Sequence, residues 1–400
     1  MHRILATLFL TLALPAHAET ISAEIARSGL AATETRLTAL PSPTDADRFA
    51  LGGVLFLRAV EISFQDRWRY GLTDRTGMLP LLRLPLEDNP RPAAFDPAAI
   101  TGIFSHAAAK LSAAKTQLSA IPATSDFGLD IALDDLWFDV NSDGSRSTGE
   151  AIADILGTAV LGGTASSAAP QLLPTVRFDA ADAAWLAAYA DLLNGVCAMV
   201  RAYDPTEPIT RVLTARRTMA AIGTVTADPF FGEVGAPDSF DSFDIFAIVL
   251  AALNQTPDKT LMAQAQTDLL AMVSENRDFW ARVALEKDNL HEWLPNDSQT
   301  SALGIELPKG TGGHWLALLS DFEAVLKGEK LVPYWRVGPP AGINIARIFT
   351  DPRPIDAVGW IQGWAALPYL EPGPLVSSSN ADAFDTFVAG RAPLFALYLN

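Results

Sequence analysis

The sequence predicts an all-α protein, a multi-helix bundle or irregular helical array joined by long Pro/Gly-rich loops. Three observations predict it. Apolar residues recur at helical spacing along most of the chain, alternating strand-like runs are scarce, and 27 prolines and 27 glycines punctuate the periodic segments. No repeat period near 34 residues emerges, so a bundle is expected rather than a solenoid.

Taken in order, Thr20–Leu40 carries Ile21, Ile25, Leu30 and Leu37 and stops at Pro41-Ser42-Pro43. Thr44 caps the next helix, with Asp45 and Asp47 in its first turn. Phe49, Leu51, Val54, Leu55, Leu57, Ile62 and Trp68 give that helix an apolar face, and it ends near Gly71. A Pro-rich stretch, Leu79–Pro97, follows, and Asp96-Pro97 opens a helix to about Ile121. The best-marked helix begins at Asp179, with Asp182 three residues on as a capping box. Its wide stripe comprises Trp185, Leu186, Tyr189, Leu192, Leu193, Val196, Val200 and Tyr203. Further helices are expected at Ile209–Ala221, Phe240–Asn254, Thr260–Ala284, Trp315–Lys327, Ile355–Tyr369 and Asp382–Leu399. A division into regions 19–204 and 205–400 falls at "DPTEP", Asp204–Pro208, with Gly223–Asp238 as a second candidate; the whole also reads as one domain.

The first 18 residues read as a secretory signal peptide: Arg3, an apolar run from Ile4 to Pro15, then Ala16-His17-Ala18 as a cleavage site. The mature chain is expected to begin at Glu19, without a membrane span, in the periplasm or outside the cell. The formal charge is −17, and loss of Arg3 makes it −18. An acidic chain of this kind lacks the basic footprint that nucleic acid or an anionic membrane requires. With Cys197 alone, no intrachain disulfide can form, and its place in an apolar helical run marks it as a small buried hydrophobe.

One stretch carries chemistry: "FDVNSDGSRSTGEAI", Phe138–Ile152. Counted from Asp139, oxygen-bearing side chains fall at positions 1, 3 and 5 (Asp139, Asn141, Asp143). Gly144 follows at 6, Ser145 at 7, Ser147 at 9 and Glu150 at 12. Alternate residues of a coiled loop turn their oxygens to one centre, and glycine permits the sharp turn. The pattern resembles the EF-hand calcium loop, and its "DVNSDG" opening is similar to dockerin-type loops. The resemblance covers this segment and no other part of the chain. It implies one Ca²⁺ held by Asp139, Asn141, Asp143, Ser145, Ser147 and Glu150, with Ser145 offering its backbone carbonyl and Glu150 closing the site through both oxygens. Hard oxygen donors, with neither thiolate nor imidazole, argue against zinc or copper. Trp137-Phe138 supplies an aromatic anchor before the loop, and Glu150–Leu156 begins an exiting helix. Two departures stand out. Arg146 occupies position 8, where paired hands carry an apolar residue, and "GLDIALDDLWF" is short for an incoming helix.

Other constellations are weaker. H-E-x-x-H, G-x-S-x-G and C-x-x-C are all absent, and the mature chain has three histidines, His106, His291 and His314. His291-Glu292 is a catalytic pair only in outline; a surface or loop-packing histidine is the simpler reading. Asp238, Asp241 and Asp244 offer a carboxylate face for acid–base hydrolysis, or a helix N-terminus, with Phe240, Phe243 and Phe246 as core anchors. The segment 331–375 mixes Tyr334, Trp335, Arg336, Trp360, Gln362 and Trp364, either to stack on a ligand or partner or to anchor long loops. Three functions are therefore carried forward. The first is an exported calcium-binding helical protein, its calcium structural, that binds a ligand or envelope partner. The second is a secreted Asp/Glu hydrolase, and the third a structural or assembly factor of the envelope.

Overall fold

The computed structural model describes residues 19–72, 84, 86–155, 173–223 and 240–399. The expected signal peptide, Asp238, Leu156, most of Gly223–Asp238 and part of Leu79–Pro97 lie outside the described residues. Within them, 58% of residues are helical in twelve helices, accompanied by sheets of two and three strands. The expectation of an all-α chain is corrected accordingly: the fold is mainly helical with two small antiparallel sheets. Strands β1 (Leu129–Ala132) and β2 (Thr175–Phe178) pair Leu129 with Phe178 and Ala132 with Thr175. Strands β3 (Val332–Pro333), β4 (Ala341–Ile343) and β5 (Leu370–Pro372) form the second sheet, with β4 in the middle. Each has two to four residues. That is too short to print an alternating pattern on the sequence.

Helix α1 (Ile21–Thr38) bends at Gly29, whose φ of 74° leaves the helical region. Helix α2 (Asp45–Tyr70) starts as expected: Thr44 Oγ1 accepts from the Asp47 N–H at 3.2 Å and Asp47 Oδ2 from the Thr44 N–H at 2.9 Å. It ends at Gly71 in the left-handed region. Helix α3 (Ala99–Leu118) packs against it, with Gly52 of α2 receiving the side chain of Leu118.

Helix α4 (Ala180–Ala202) is the central strut. Asp179 and Asp182 form the expected capping box. The buried surface, however, is wider than the stripe of large residues. Ala183, Ala184, Ala187, Ala188, Ala190, Asp191, Asn194, Cys197 and Ala198 are buried as well, whereas Val196 is exposed. Small side chains let α3 and helix α7 (Lys259–Val283) approach closely, so the alanine face is the one that other helices cover. By length and composition α4 is apolar enough to cross a membrane, but it lies mostly buried inside the protein.

Helices α5 (Thr206–Ile222) and α6 (Ser242–Leu253) pack against each other. Phe243 and Phe246, expected as core anchors, are 56% and 57% exposed. The buried positions of α6 are Ser242, Ile245 and Ala252, and neither phenylalanine is among them. Phe240 is half-buried and meets Phe95 edge-on.

After helix α8 (Thr311–Leu326), two expected helices are broken. Ile355–Tyr369 becomes the short α10 (Ala357–Gln362), stopped at Gly363, and a single 3₁₀ turn at Leu367–Tyr369. Asp382–Leu399 divides into α11 (Ser379–Phe387) and α12 (Ala392–Leu399) around Ala389-Gly390, both at positive φ. The short α9 (Ile345–Thr350) follows β4. The largest apolar cluster joins Phe49, Leu118 and Trp185 to Val273, Trp315, Phe384 and Phe395, drawing on both sides of Asp204–Pro208.

Gly52 tests the α2–α3 contact. Alanine in a helix interior is favoured over glycine by about 1 kcal/mol, yet a Cβ there would stand 2.6 Å from Leu118 Cγ. Overpacking typically costs about 1–3 kcal/mol. Gly52→Ala is therefore expected to lower stability in urea titration despite its better helix propensity.

Candidate calcium loop

The loop is fixed at its base before its tip is considered. Trp137 is buried, and its Nε1 donates to the Ile25 carbonyl of α1 at 2.8 Å. Its ring lies against the bend: a Cβ on Gly29 would sit 2.9 Å from Trp137 Cζ2. Phe138 meets Phe64 of α2 edge-on at 5.3 Å. Gln65 Nε2 donates to the Asp139 carbonyl at 2.7 Å, and the Asp139 N–H donates to Glu61 Oε2 at 3.2 Å. A bridge between Trp137 and Ala151 closes the base, with Phe138 N–H donating to the Glu150 carbonyl at 2.9 Å. The incoming segment is a strand and a 3₁₀ turn at Leu133–Asp135, so the loop does not sit in a helix–loop–helix unit.

Above this base the chain coils as the spacing implies. Asp139 Oδ1 accepts from the Asp143 N–H and Oδ2 from the Gly144 N–H, each at 3.0 Å. Asn141 Oδ1 accepts from Asp143 N–H at 2.9 Å, and Asp143 Oδ1 from Ser145 N–H at 2.8 Å. Asn141 Nδ2 donates to Asp143 Oδ2 at 3.0 Å. Gly144, at φ 75°, makes the turn that a side chain would strain. Positions 1, 3 and 5 are thus brought together. Ser145 and Ser147 lie on the exposed arm with Arg146.

Glu150 is placed differently from the expected two-oxygen closure. It is buried, with Oε1 accepting from Val140 N–H at 2.9 Å and Oε2 from Ser147 N–H at 2.7 Å. In this conformation its carboxylate ties the two arms through backbone amides. Among the described residues, no three Asp, Glu, His or Cys side chains are grouped closely enough to hold a metal ion. Donor chemistry nevertheless fits a hard cation: each carboxylate oxygen engaged by one N–H keeps a second lone pair. Among the described residues no Lys or Arg pairs with Asp139, Asp143 or Glu150, and Arg58 pairs instead with Glu61. Burial raises Glu150 above the usual carboxylate range, with Asp139 and Asp143 adding repulsion against the hydrogen bonds that oppose the shift. Burial also pushes Glu61 up to about 7 against the attraction of Arg58. Glu61 is the neighbour the sequence did not announce; it lies 78 residues from Asp139, and no local pattern could link them. A cavity of about 220 Å³ opens beside the loop, lined by Trp68, Glu87, Asn141 and Glu150 among others.

The remaining candidates separate. Asp241 and Asp244 form a capping box on α6, and both bind Arg216 of α5. They serve helix and interhelix structure and form no free acid–base pair. His291 is exposed, and its carbonyl accepts from Arg177 N–H at 3.0 Å; His314 stacks on Phe387, and His106 faces Asp66. Tyr334 is buried with its hydroxyl donating to the Trp360 carbonyl at 2.5 Å, and Trp360 stacks on Tyr369 at 5.8 Å. Trp335 and Trp364 point outward, 71% and 54% exposed. Arg336 lies over the Trp335 ring and donates to the Ile361 carbonyl at 2.8 Å, which brings Trp335 to the end of α10. Exposed Val358, Ile361 and Leu367 extend this surface. Two of the four aromatics therefore anchor the segment and two face solvent.

No family model matches the chain, and neither a curated protein nor a solved structure matches it.

A second concentration of acid lies at the start of α4. Burial holds Asp182 well above the ordinary range and pushes Glu286 up to about 7, with Asp179 repelling both. Glu286 unfolds to a carboxyl near 4.5. Between these values the folded state holds more protons, so its stability falls as pH rises through that window. Glu286→Gln, which retains an oxygen for Gln299 Nε2, is expected to gain melting temperature over the parent progressively from pH 5 to pH 8, measured by differential scanning fluorimetry.

Proposed function

We propose that residues 139–150 bind one Ca²⁺ and that the ion serves the structure of an exported, mainly helical protein. The observation that carries this reading is the coiling of Asp139, Asn141 and Asp143 around the Gly144 turn, with carboxylates that no cationic side chain neutralises among the described residues. Asp139, Asn141 and Asp143 would supply side-chain oxygens, Ser145 its carbonyl and Ser147 its hydroxyl. Glu150 would join by exchanging its amide partners for the ion. A bound cation would offset the repulsion among Asp139, Asp143 and Glu150. It would also hold together two arms that rest on α1 and α2. Extracellular modules of this kind bind at about 10⁻⁴–10⁻³ M, an affinity suited to a steady calcium supply.

The N-terminal pattern supports export to the periplasm or beyond. The solvent-facing surface around Trp335, Ile361 and Trp364 supports a partner-binding or assembly role in the envelope, since contiguous exposed apolar side chains mark contact sites. The engagement of Asp241 and Asp244 by Arg216 leaves the hydrolase reading without a paired-carboxylate site there.

Calcium binding to the folded state alone stabilises it by about 2.7 kcal/mol at 100 times Kd. Calcium is expected to raise the melting temperature of metal-free protein and magnesium to do so poorly, because magnesium demands tighter octahedral geometry. Asp139→Ala and Glu150→Gln are each expected to remove most of the calcium effect, whereas Ala at the exposed Asp126 leaves it unchanged. Isothermal titration without heat at millimolar calcium would refute the proposal.

A further inference from the structure

Helix α4 carries two polar side chains into the face that α3 and α7 cover. Asp191 is 0% exposed and Asn194 6%. Lys115 Nζ of α3 donates to Asp191 Oδ1 at 2.6 Å. Asp191 Oδ2 and Asn194 Oδ1 are buried without a hydrogen-bond partner among the described residues. The packing here is tight: a Cβ on the next residue, Gly195, would stand 3.1 Å from Leu269 Cγ of α7.

The charged groups that act on Asp191 are Lys115 from α3 and Asp268 and Glu275 from α7. Asp268 is itself buried and accepts from Gln264 Nε2 at 2.8 Å. Lys115 acts on all three carboxylates. One ammonium among three carboxylates leaves a negative excess, and burial and like charge both favour the protonated form of an acid. Burial is the larger cause at Asp191 and pushes it up to about 6 against the pull of Lys115.

The two oxygens of Asp191 differ in what they meet. Oδ1 is engaged by the ammonium, whereas a proton on Oδ2 turns an unanswered acceptor into an O–H donor. Asn194 Oδ1 is an acceptor in want of a donor, and residues three apart are neighbours on a helix surface. Once ionised, Oδ2 shares a buried charge with no donor to replace its lost hydration. The Lys115 side chain is 32% exposed, so water approaches the pair from that side when the packing loosens.

We propose that Asp191 is a proton-operated latch on the α3–α4–α7 packing: with a proton on Oδ2 it holds α4 closed against its neighbours, and on losing that proton to solvent it favours a locally opened state in which water hydrates the carboxylate.

The direction with pH follows from the two states. Hydrated in the opened state, the carboxyl returns toward 3.8, against about 6 when closed. Between these values the closed state holds more protons, so closure is favoured most below 3.8 and weakens as pH rises through about 6. From pH 5 to pH 8 this amounts to about a tenfold rise in the opening constant.

The test is hydrogen exchange of the full chain in chelator, read by mass spectrometry on peptides covering Ala190–Cys197 and corrected for the intrinsic pH dependence of amide exchange. Protection of these peptides in the parent protein is expected to fall about tenfold between pH 5 and pH 8. Asp191→Asn keeps the shape and presents an amide N–H in place of the acid O–H; it is expected to remove that fall. Lys115→Met removes the cation that favours the carboxylate and is expected to move the fall to higher pH by about one unit. Circular dichroism establishes that each variant is folded, and Lys115→Met decides the matter if Asp191→Asn does not fold. Parent protection that is independent of pH would overturn the proposal. So would an equal fall in folded Asp191→Asn, or an unmoved midpoint in folded Lys115→Met.

Discussion

The seat of Trp137 on the bend of α1 fixes the N-terminal half of the molecule. Gly29 provides both the bend of α1 and the missing Cβ, which would otherwise stand 2.9 Å from the indole. The indole N–H then finds the Ile25 carbonyl, so a large buried ring leaves no polar atom unmet. Phe138 takes the next position against Phe64 of α2. Two consecutive residues thus point to two different helices, as extended backbone dictates. The loop that follows inherits its position from them, and its polar tip needs no core of its own.

The packing around α4 depends on a different economy of size. Helix α4 accommodates α3 and α7 because alanines cover its buried face, and Gly195 admits Leu269 in the same way. Large side chains on α4, such as Trp185 and Tyr189, fill the remaining space with Trp293 and Phe56. Between these helices Lys115 reaches Asp191 Oδ1, while Asp191 Oδ2 and Asn194 Oδ1 stay buried without a partner among the described residues.

What the sequence made legible was local. The cap at Thr44 and the capping box at Asp179 were readable because each is local, whereas Asp241 and Asp244 read only as acids near a helix start and close a box as well. The coiled tip of the loop was readable for the same reason, since Asx side chains bond amides two to five residues on. Orientation was much less so. Phe243 and Phe246 have the composition of a core face, yet only the partner helix decides which side of α6 is covered. Trp335 and Trp364 resemble Tyr334 and Trp360 in sequence and differ in what surrounds them. Glu150 was expected to face an ion, but two backbone amides compete for its oxygens. The approach of Glu61 depended on a contact 78 residues away.

The loop's attachments have a consequence for time as well as for stability. Its ties to α1 and α2 span 112, 78 and 74 residues of chain. Contacts of such separation require large closures and accordingly form late in folding. An interaction completed after the rate-limiting step leaves the folding rate unchanged and slows its reversal. A cation held between residues 139 and 150 would thus act as a brake on unfolding, lengthening the lifetime of the native molecule without hastening its arrival.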